Sequence, residues 1–226
     1  MALDKNLVPV ILGWALLSAG LQGLASAEEP CAPFVNANVD QFRVAAMRAA
    51  AKGGHLYRIQ PGTSRVGFCV KSQIALVKAE FKDFQGGLTL WPNHRSNKEQ
   101  AMVLVQTASL DTGGSMIESL LKSERFFDVE NFPEILFVST GFTWTGDTTG
   151  ILKGDLTLHG VTRAVAFNVT LLPVTGKGDK GKNAEKVLVK AGTTIHRSDF
   201  GMDTLSRVVD DDVELCMSVE AVRYKG

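Results

Sequence analysis

The segment Leu121–Phe142, LKSERFFDVENFPEILFVSTGF, constrains the fold more than any other part of the sequence. It begins as a turn that contains the adjacent pair Phe126 and Phe127. It continues as a strand whose two alternating faces are both largely apolar, Ile135 and Phe137 on one and Leu136 and Val138 on the other. Such a strand must be covered on both sides. Because this is unusual in an antiparallel sheet, the segment favours a sheet curled around an apolar interior, with Phe126 or Phe127 closing one end.

Alternation of apolar and other residues recurs from Tyr57 almost to the end of the chain. It predicts about eight strands with short connections, and no alternation of strands with long helices. Gly113–Ser123 departs from this pattern, since Met116, Ile117, Leu120 and Leu121 have helical spacing. The predicted fold class is therefore all-β: an eight-stranded antiparallel lipocalin-like barrel with one or two short helices. Its interior is filled by side chains or holds one small ligand. An open sandwich is the structural alternative.

Residues 1–27 have the pattern of a signal peptide. Lys5 precedes the apolar run Leu7–Leu17, and small residues follow up to Ala25-Ser26-Ala27. The run is shorter than the roughly 20 residues that span a bilayer. We therefore expect cleavage near Ala27 and a periplasmic or secreted protein, with an uncleaved anchor as the alternative.

Residues 28–56 are predicted to be an N-terminal extension that precedes a barrel domain over residues 57–226. A helix is expected over Val39–Lys52, started by Asn38 or Asp40 and stopped by Gly53-Gly54. Its apolar positions are Val39, Phe42, Ala46, Met47 and Ala50. This stripe suits packing on the outside of the barrel. The alternative, a helix at a membrane surface, needs a more basic polar face than this segment has.

Composition and motifs argue against several other functions. The 24 basic and 24 acidic residues balance, so neither nucleic acid nor an anionic membrane is an expected partner. No later segment is apolar enough for stable membrane insertion. His55 and His94 lack ligand-spaced companions, and Asp210-Asp211-Asp212 resembles a solvated edge, so no metal site is predicted. His196-Arg197-Ser198-Asp199 contains the residue types of a hydrolase triad, but consecutive residues cannot converge as a triad must. We expect a local Arg197–Asp199 ion pair and no enzymatic activity.

Several motifs in order give the chain a resemblance to the YceI-like family of polyisoprenoid-binding proteins, a lipocalin-like barrel group. They extend over residues 57–224 and comprise Ser64-Arg65-Val66-Gly67-Phe68, Phe81-Lys82-Asp83-Phe84-Gln85-Gly86, Leu121-Lys122-Ser123, Phe126-Phe127-Asp128, Phe132-Pro133-Glu134-Ile135, Phe137-Val138-Ser139-Thr140, Gly154-Asp155-Leu156-Thr157-Leu158-His159-Gly160-Val161-Thr162 and Arg197-Ser198-Asp199-Phe200-Gly201-Met202. The resemblance implies an exported, non-enzymatic carrier. Its ligand would be an isoprenoid lipid, such as a quinone or polyprenyl lipid, whose tail lies inside the barrel; no cofactor is required.

Two positions depart from the family pattern. Ser72 follows Val70-Lys71 where the family often has a histidine. The segment Ile117-Glu118-Ser119-Leu120-Leu121 stands where the family often has an Arg-Asp-x-His-Leu run, so that only Glu118 keeps the type of charge.

The candidate ligand-binding residues combine strand alternation with this resemblance. They are Val66, Phe68, Val70, Phe81, Phe127, Phe137, Leu156, Phe167, Ile195, Phe200 and Met217. Alternation alone fits a close-packed interior equally well. The alternative to a carrier is therefore an unliganded structural or stress-response protein with a filled core. A homodimer is compatible with either.

The three cysteines leave one unpaired in an oxidising compartment. Cys69 and Cys216 are each out of phase with their apolar neighbours and should point outward. If the first and last barrel strands are adjacent, a Cys69–Cys216 disulfide would join them across the seam. The alternative is a bond from Cys31 to either of them.

Overall fold

A computed structural model of the protein describes residues 39–91, 97–174 and 185–225. Within these residues, two helices, α1 (Gln41–Lys52) and α2 (Ser115–Lys122), accompany eleven strand segments. The strands are β1 (Leu56–Ile59), β2 (Arg65–Ser72), β3 (Leu76–Phe81), β4 (Phe84–Thr89), β5 (Ala101–Gln106), β6 (Leu110–Asp111), β7 (Glu134–Trp144), β8 (Thr149–Leu158), β9 (Val161–Val174), β10 (Lys186–His196) and β11 (Val209–Arg223). Short 3-10 turns at Pro61–Thr63, Thr107–Ser109 and Arg197–Phe200 link some of them. The predicted signal peptide and Cys31 lie outside the described residues.

The strands form a closed, eight-stranded antiparallel barrel, as the sequence predicts. The eleven segments make eight barrel strands because three of these strands each consist of two consecutive segments: β1 with β2, β3 with β4, and β5 with β6. One half of β11 pairs with β1 and the other half with β2, which closes the ring. The barrel positions follow chain order, each paired with its sequence neighbour.

Strand β7 is buried on both sides, as its two apolar faces require. Phe137 belongs to the core inside the barrel, whereas Val138 belongs to a second cluster on the outer wall. Helix α1 covers that wall, placing Val44 and Met47 beside Met102 and Leu104. The inner face of β7 is thus covered by the barrel interior and its outer face by the N-terminal helix.

The helix predicted in the N-terminal extension is present as α1, but the prediction placed one residue, Phe42, on the wrong face of it. The carboxylate of Asp40 accepts a hydrogen bond from the Phe42 backbone N–H at 2.9 Å, so it caps the helix start. Phe42 was predicted to be on the apolar stripe, but it is 86% exposed, and Val44 occupies the wall-facing position instead. At 100° per residue, the buried series Val44, Met47 and Ala50 turns Phe42 away from the barrel.

The predicted Cys69–Cys216 disulfide is not present: both cysteines are free thiols. The strands β2 and β11 are neighbours and neither side chain lines the interior, as expected. However, Cys69 is opposite Glu214 and Cys216 is opposite Gly67. The two cysteines are therefore diagonal neighbours, typically about 7–8 Å apart, beyond the usual Cα separation of about 4.4–6.8 Å for a disulfide. Partial desolvation, together with Glu214 and Cys69, raises the pKa of the Cys216 thiol.

Candidate ligand-binding cavity

A cavity of about 510 Å³ runs along the barrel interior. Its wall extends from Gln73 and Ile74 in the β2–β3 turn to Leu90 and Gln100 beside the ends of β4 and β5. Because β3 and β4 follow one another in the same barrel position, Ile74 and Leu90 lie at opposite ends of it. Pockets that bind small molecules commonly have volumes of roughly 300–1,000 Å³.

All the candidate ligand-binding residues except Phe200 line this cavity. For those on strands, alternation places them there, since the residues between them point to the outer wall; Phe127 instead lies in the turn between α2 and β7. Phe200 is buried at 1% exposure but lies in the 3-10 turn after β10, which Gly201 ends in the left-handed conformation at φ +74°. This turn interrupts the strand alternation, and Phe200 is part of the barrel core without being part of the cavity wall.

Phenylalanine rings form one section of the cavity wall. Phe127 lies 5.5 Å from Phe68 and 5.7 Å from Phe81 between ring centroids, and the second contact is edge-to-face. Phe126 is also buried and also lines the cavity. Both members of the predicted Phe-Phe pair therefore contribute to the interior. Phe127 is the one that packs into this aromatic cluster.

A buried arginine, Arg197, is part of the cavity wall and is only 4% exposed. Its guanidinium donates hydrogen bonds to the backbone carbonyls of Met202, Thr204, Val209 and Asp210. The predicted ion pair with Asp199 is therefore wrong. Arg197 instead holds the segment between the Arg197–Phe200 turn and β11, and carbonyl dipoles stabilise its charge in an otherwise apolar environment.

The other residues of the segment His196–Asp199 lie at the surface. Asp211 accepts hydrogen bonds from the Ser198 hydroxyl at 2.7 Å and from the Ser198 backbone N–H at 2.8 Å. The hydroxyl bond is the main cause of the lowered pKa of Asp211. His196 Nδ1 lies 2.8 Å from Asp212 Oδ1. Among residues 39–91, 97–174 and 185–225, no group of three His, Cys, Asp or Glu residues is placed to hold a metal.

One end of the cavity opens between exposed apolar side chains. Five of these, Ile74, Ile117, Leu120, Leu205 and Val208, are at least 37% exposed and also line the cavity. Leu76 and Met116 are exposed beside them in the same segments. We call these seven residues the apolar rim. Both departures from the family pattern, Ser72 and the Ile117–Leu121 segment, contribute to the wall at this end.

Sequence reasoning missed several residues of the cavity wall. Leu152, Val169 and Val189 line the cavity in the same phase as Leu156, Phe167 and Ile195 on their strands, so alternation alone could have identified them. Val105 also lines the cavity, on a strand from which no candidate was chosen. The apolar rim carried no such signal. Three separate segments form it, and only the tertiary structure shows that they meet.

Fold and cavity together define a closed β-barrel whose apolar interior cavity has the volume of a small-molecule site. The chain belongs to the YceI-like domain family, whose model matches residues 57–221. A UPF0312 protein of Pseudomonas putida (strain W619) is 31% identical over 226 residues, covering 99% of this chain and 100% of that protein.

Solved structures share the fold at lower identity. Burkholderia cenocepacia BcnA aligns with a TM-score of 0.65 and 21% identity, covering 73% of this chain and 99% of that one. A polyisoprenoid binding domain from Saccharophagus degradans aligns with a TM-score of 0.57 and 13% identity, covering 74% and 98% respectively. These two likenesses concern the fold.

Proposed function

We propose that this protein is an exported binding protein that encloses the tail of an isoprenoid lipid, such as a quinone or a polyprenyl lipid, for storage or transport. The observation that carries the proposal is the apolar cavity along the barrel. An elongated cavity with aromatic and branched walls suits a flexible hydrocarbon tail.

The size of the cavity favours this function over a filled structural core. Close-packed interiors contain few voids larger than a water molecule. A volume of about 510 Å³ is many times that of a single water molecule, about 30 Å³ in the liquid. Such a volume is too large for an incidental packing defect, and a bound tail would restore the missing contacts.

Two further observations support the proposal. The S. degradans domain, which shares the fold, carries polyisoprenoid binding in its name. Residues 1–27 have the pattern of an export signal, which agrees with a periplasmic or secreted carrier. In the part of the chain that the structure describes, no helix is long and apolar enough to cross a membrane.

The decisive test is chemical identification of the ligand. Protein purified from its native compartment would be extracted with organic solvent and the extract analysed by mass spectrometry. We expect a stoichiometric isoprenoid lipid. If no such lipid copurifies and delipidated protein takes up no added quinone, the filled-core alternative is favoured.

A pair of variants would place the ligand in the cavity. Ala191 lines the cavity, whereas Ala166 is exposed on β9. Ala191→Phe should shorten the longest tail retained, and Ala166→Phe should leave the extracted lipids unchanged. Equal lipid profiles for both variants would place the ligand elsewhere.

A further inference from the structure

Exposed large hydrophobic side chains are concentrated at one end of the barrel. In the described part of the chain, seven of the nine belong to the apolar rim, and only Phe42 and Leu172 lie elsewhere. Ile74 is 96% exposed and Met116 is 85% exposed. Scattered exposed hydrophobic residues are normal, but a contiguous group marks an interaction surface.

The three segments of the apolar rim surround one opening. The Gln73 backbone N–H donates to the Val208 carbonyl at 3.0 Å, which joins the β2–β3 turn to the segment before β11. Ile117 and Leu120 of α2 line the same cavity as Ile74 and Val208. The rim is therefore continuous with the cavity wall, and the cavity reaches the surface at its centre.

Within the three segments of the apolar rim, the charged residues are Glu118 on α2 and the exposed Arg207 between Leu205 and Val208, so these segments carry one acidic and one basic side chain. Helix α2 carries two charged residues, Glu118 and Lys122, whose side chains form an ion pair at 2.7 Å. The whole chain is also balanced, with 24 basic and 24 acidic residues. A partner would therefore be held by burial of apolar surface.

We propose that the apolar rim docks reversibly on the surface of a lipid bilayer, with the side chains of Ile74 and Met116 among the acyl chains. This inference rests on the proposed function, since docking would let an isoprenoid tail pass between bilayer and cavity without crossing water. A folded protein partner would cover the rim but leave the opening at its centre unfilled, whereas acyl chains fill it. A short helix with one apolar face lying in the membrane interface is a known arrangement of this kind.

The test uses a fluorophore attached at one position. In the full chain with Cys31, Cys69 and Cys216 replaced by serine, Met116→Cys is labelled with an environment-sensitive dye. The matched control is Phe42→Cys on α1, because Phe42 is equally exposed but lies away from the rim. Phosphatidylcholine vesicles, with and without brominated acyl chains, are then added. Comparing two positions of one chain separates docking by the rim from any membrane binding of residues 1–27.

We expect the position-116 dye to shift to shorter wavelength and to be quenched by brominated lipid, while the position-42 dye does not respond. Ile74→Ser should raise the vesicle concentration needed for a half-maximal position-116 response about tenfold. Leu172→Ser should leave that concentration unchanged. Raising salt from about 0.1 M to about 1 M, which shortens the Debye length from about 10 Å to about 3 Å, should not weaken it. No response at position 116, or equal responses at both positions, would overturn the proposal.

Two further measurements separate this proposal from its alternatives. Delipidated protein is offered a quinone in detergent micelles: loading without vesicle docking overturns the docking proposal alone. Vesicle docking without uptake of the quinone supports the docking proposal and contradicts the proposed function. Light scattering without vesicles detects a second copy of the chain as the occupant. A dimer that Ile74→Ser dissociates, with no vesicle response, would show that the rim is a dimer interface instead.

Discussion

Phe127 connects the stability of the barrel to the shape of its cavity. It is 7% exposed and packs against both Phe68 and Phe81. We predict that Phe127→Ala lowers the free energy of unfolding by about 3–5 kcal/mol, the usual cost of removing a buried aromatic ring. Phe42→Ala is the matched control, because its ring is exposed, and it should change stability by less than about 0.5 kcal/mol. Denaturant unfolding measures both; a loss below about 1 kcal/mol for Phe127→Ala would contradict this placement.

The surface pair of Ser198 and Asp211 gives a prediction about protonation. Hydrogen bonds from the Ser198 hydroxyl and backbone N–H hold the pKa of Asp211 below its ordinary value of 3.8. A lowered folded-state pKa stabilises the fold at pH above the unfolded-state pKa, and this contribution is lost as the pH falls through the folded-state pKa. Ser198→Ala should therefore raise the pKa of Asp211 toward 3.8 and reduce this stabilising contribution. An NMR titration of the Asp211 carboxyl measures the change, and an unaltered pKa would assign the shift to another cause.

At the scale of elements, helix α1 stabilises the barrel from outside. Met47 is 2% exposed and lies in the outer-wall cluster with Leu56 and Met102. Met47→Ala should lower the free energy of unfolding by about 2–5 kcal/mol, yet leave tail-length preference unchanged because Met47 does not line the cavity. Met116→Ala, at an exposed position, is the stability control. A changed lipid profile for Met47→Ala would show that α1 also shapes the cavity.

Most elements could be predicted because strand period depends on local sequence. The alternation around Phe137 and Phe167 predicted both the strands and the residues of the cavity wall. The apolar character of both faces of β7 predicted that this strand is covered on both sides. Three features depend on geometry that the sequence does not contain. The barrel wall on which α1 packs decides which face of the helix is buried, and so turns Phe42 outward. Strand register sets the diagonal offset of Cys69 and Cys216. A 3-10 turn determines the position of Phe200. Arg197 shows the same limit, since its carbonyl partners follow five to thirteen residues later and only the folded connection brings them to its guanidinium.

For the whole molecule, the cavity predicts how affinity depends on the ligand. If the tail occupies the barrel, affinity for polyprenyl ligands should rise with tail length until the cavity is full, by up to about 0.8 kcal/mol per buried CH₂. Ala191→Phe should move this plateau to shorter tails. Titration of delipidated protein with a series of tails measures the dependence. Affinity that responds to the headgroup but not to the tail would indicate a polar surface site instead.

The pairing of β11 with both β1 and β2 also determines when folding can finish. Arg223 Nη2 donates to the Tyr57 hydroxyl at 2.6 Å across a sequence separation of 166 residues. Closing so long a loop costs entropy before its contacts form, and folds dominated by such contacts fold slowly. A chain emerging from the ribosome cannot close its barrel until β11 has been synthesised. Until then the inner faces of β1 and β2 lack their last neighbour, so the nascent chain stays open for most of its synthesis. If the protein is exported as proposed, such an open chain could pass unfolded through a translocation pore.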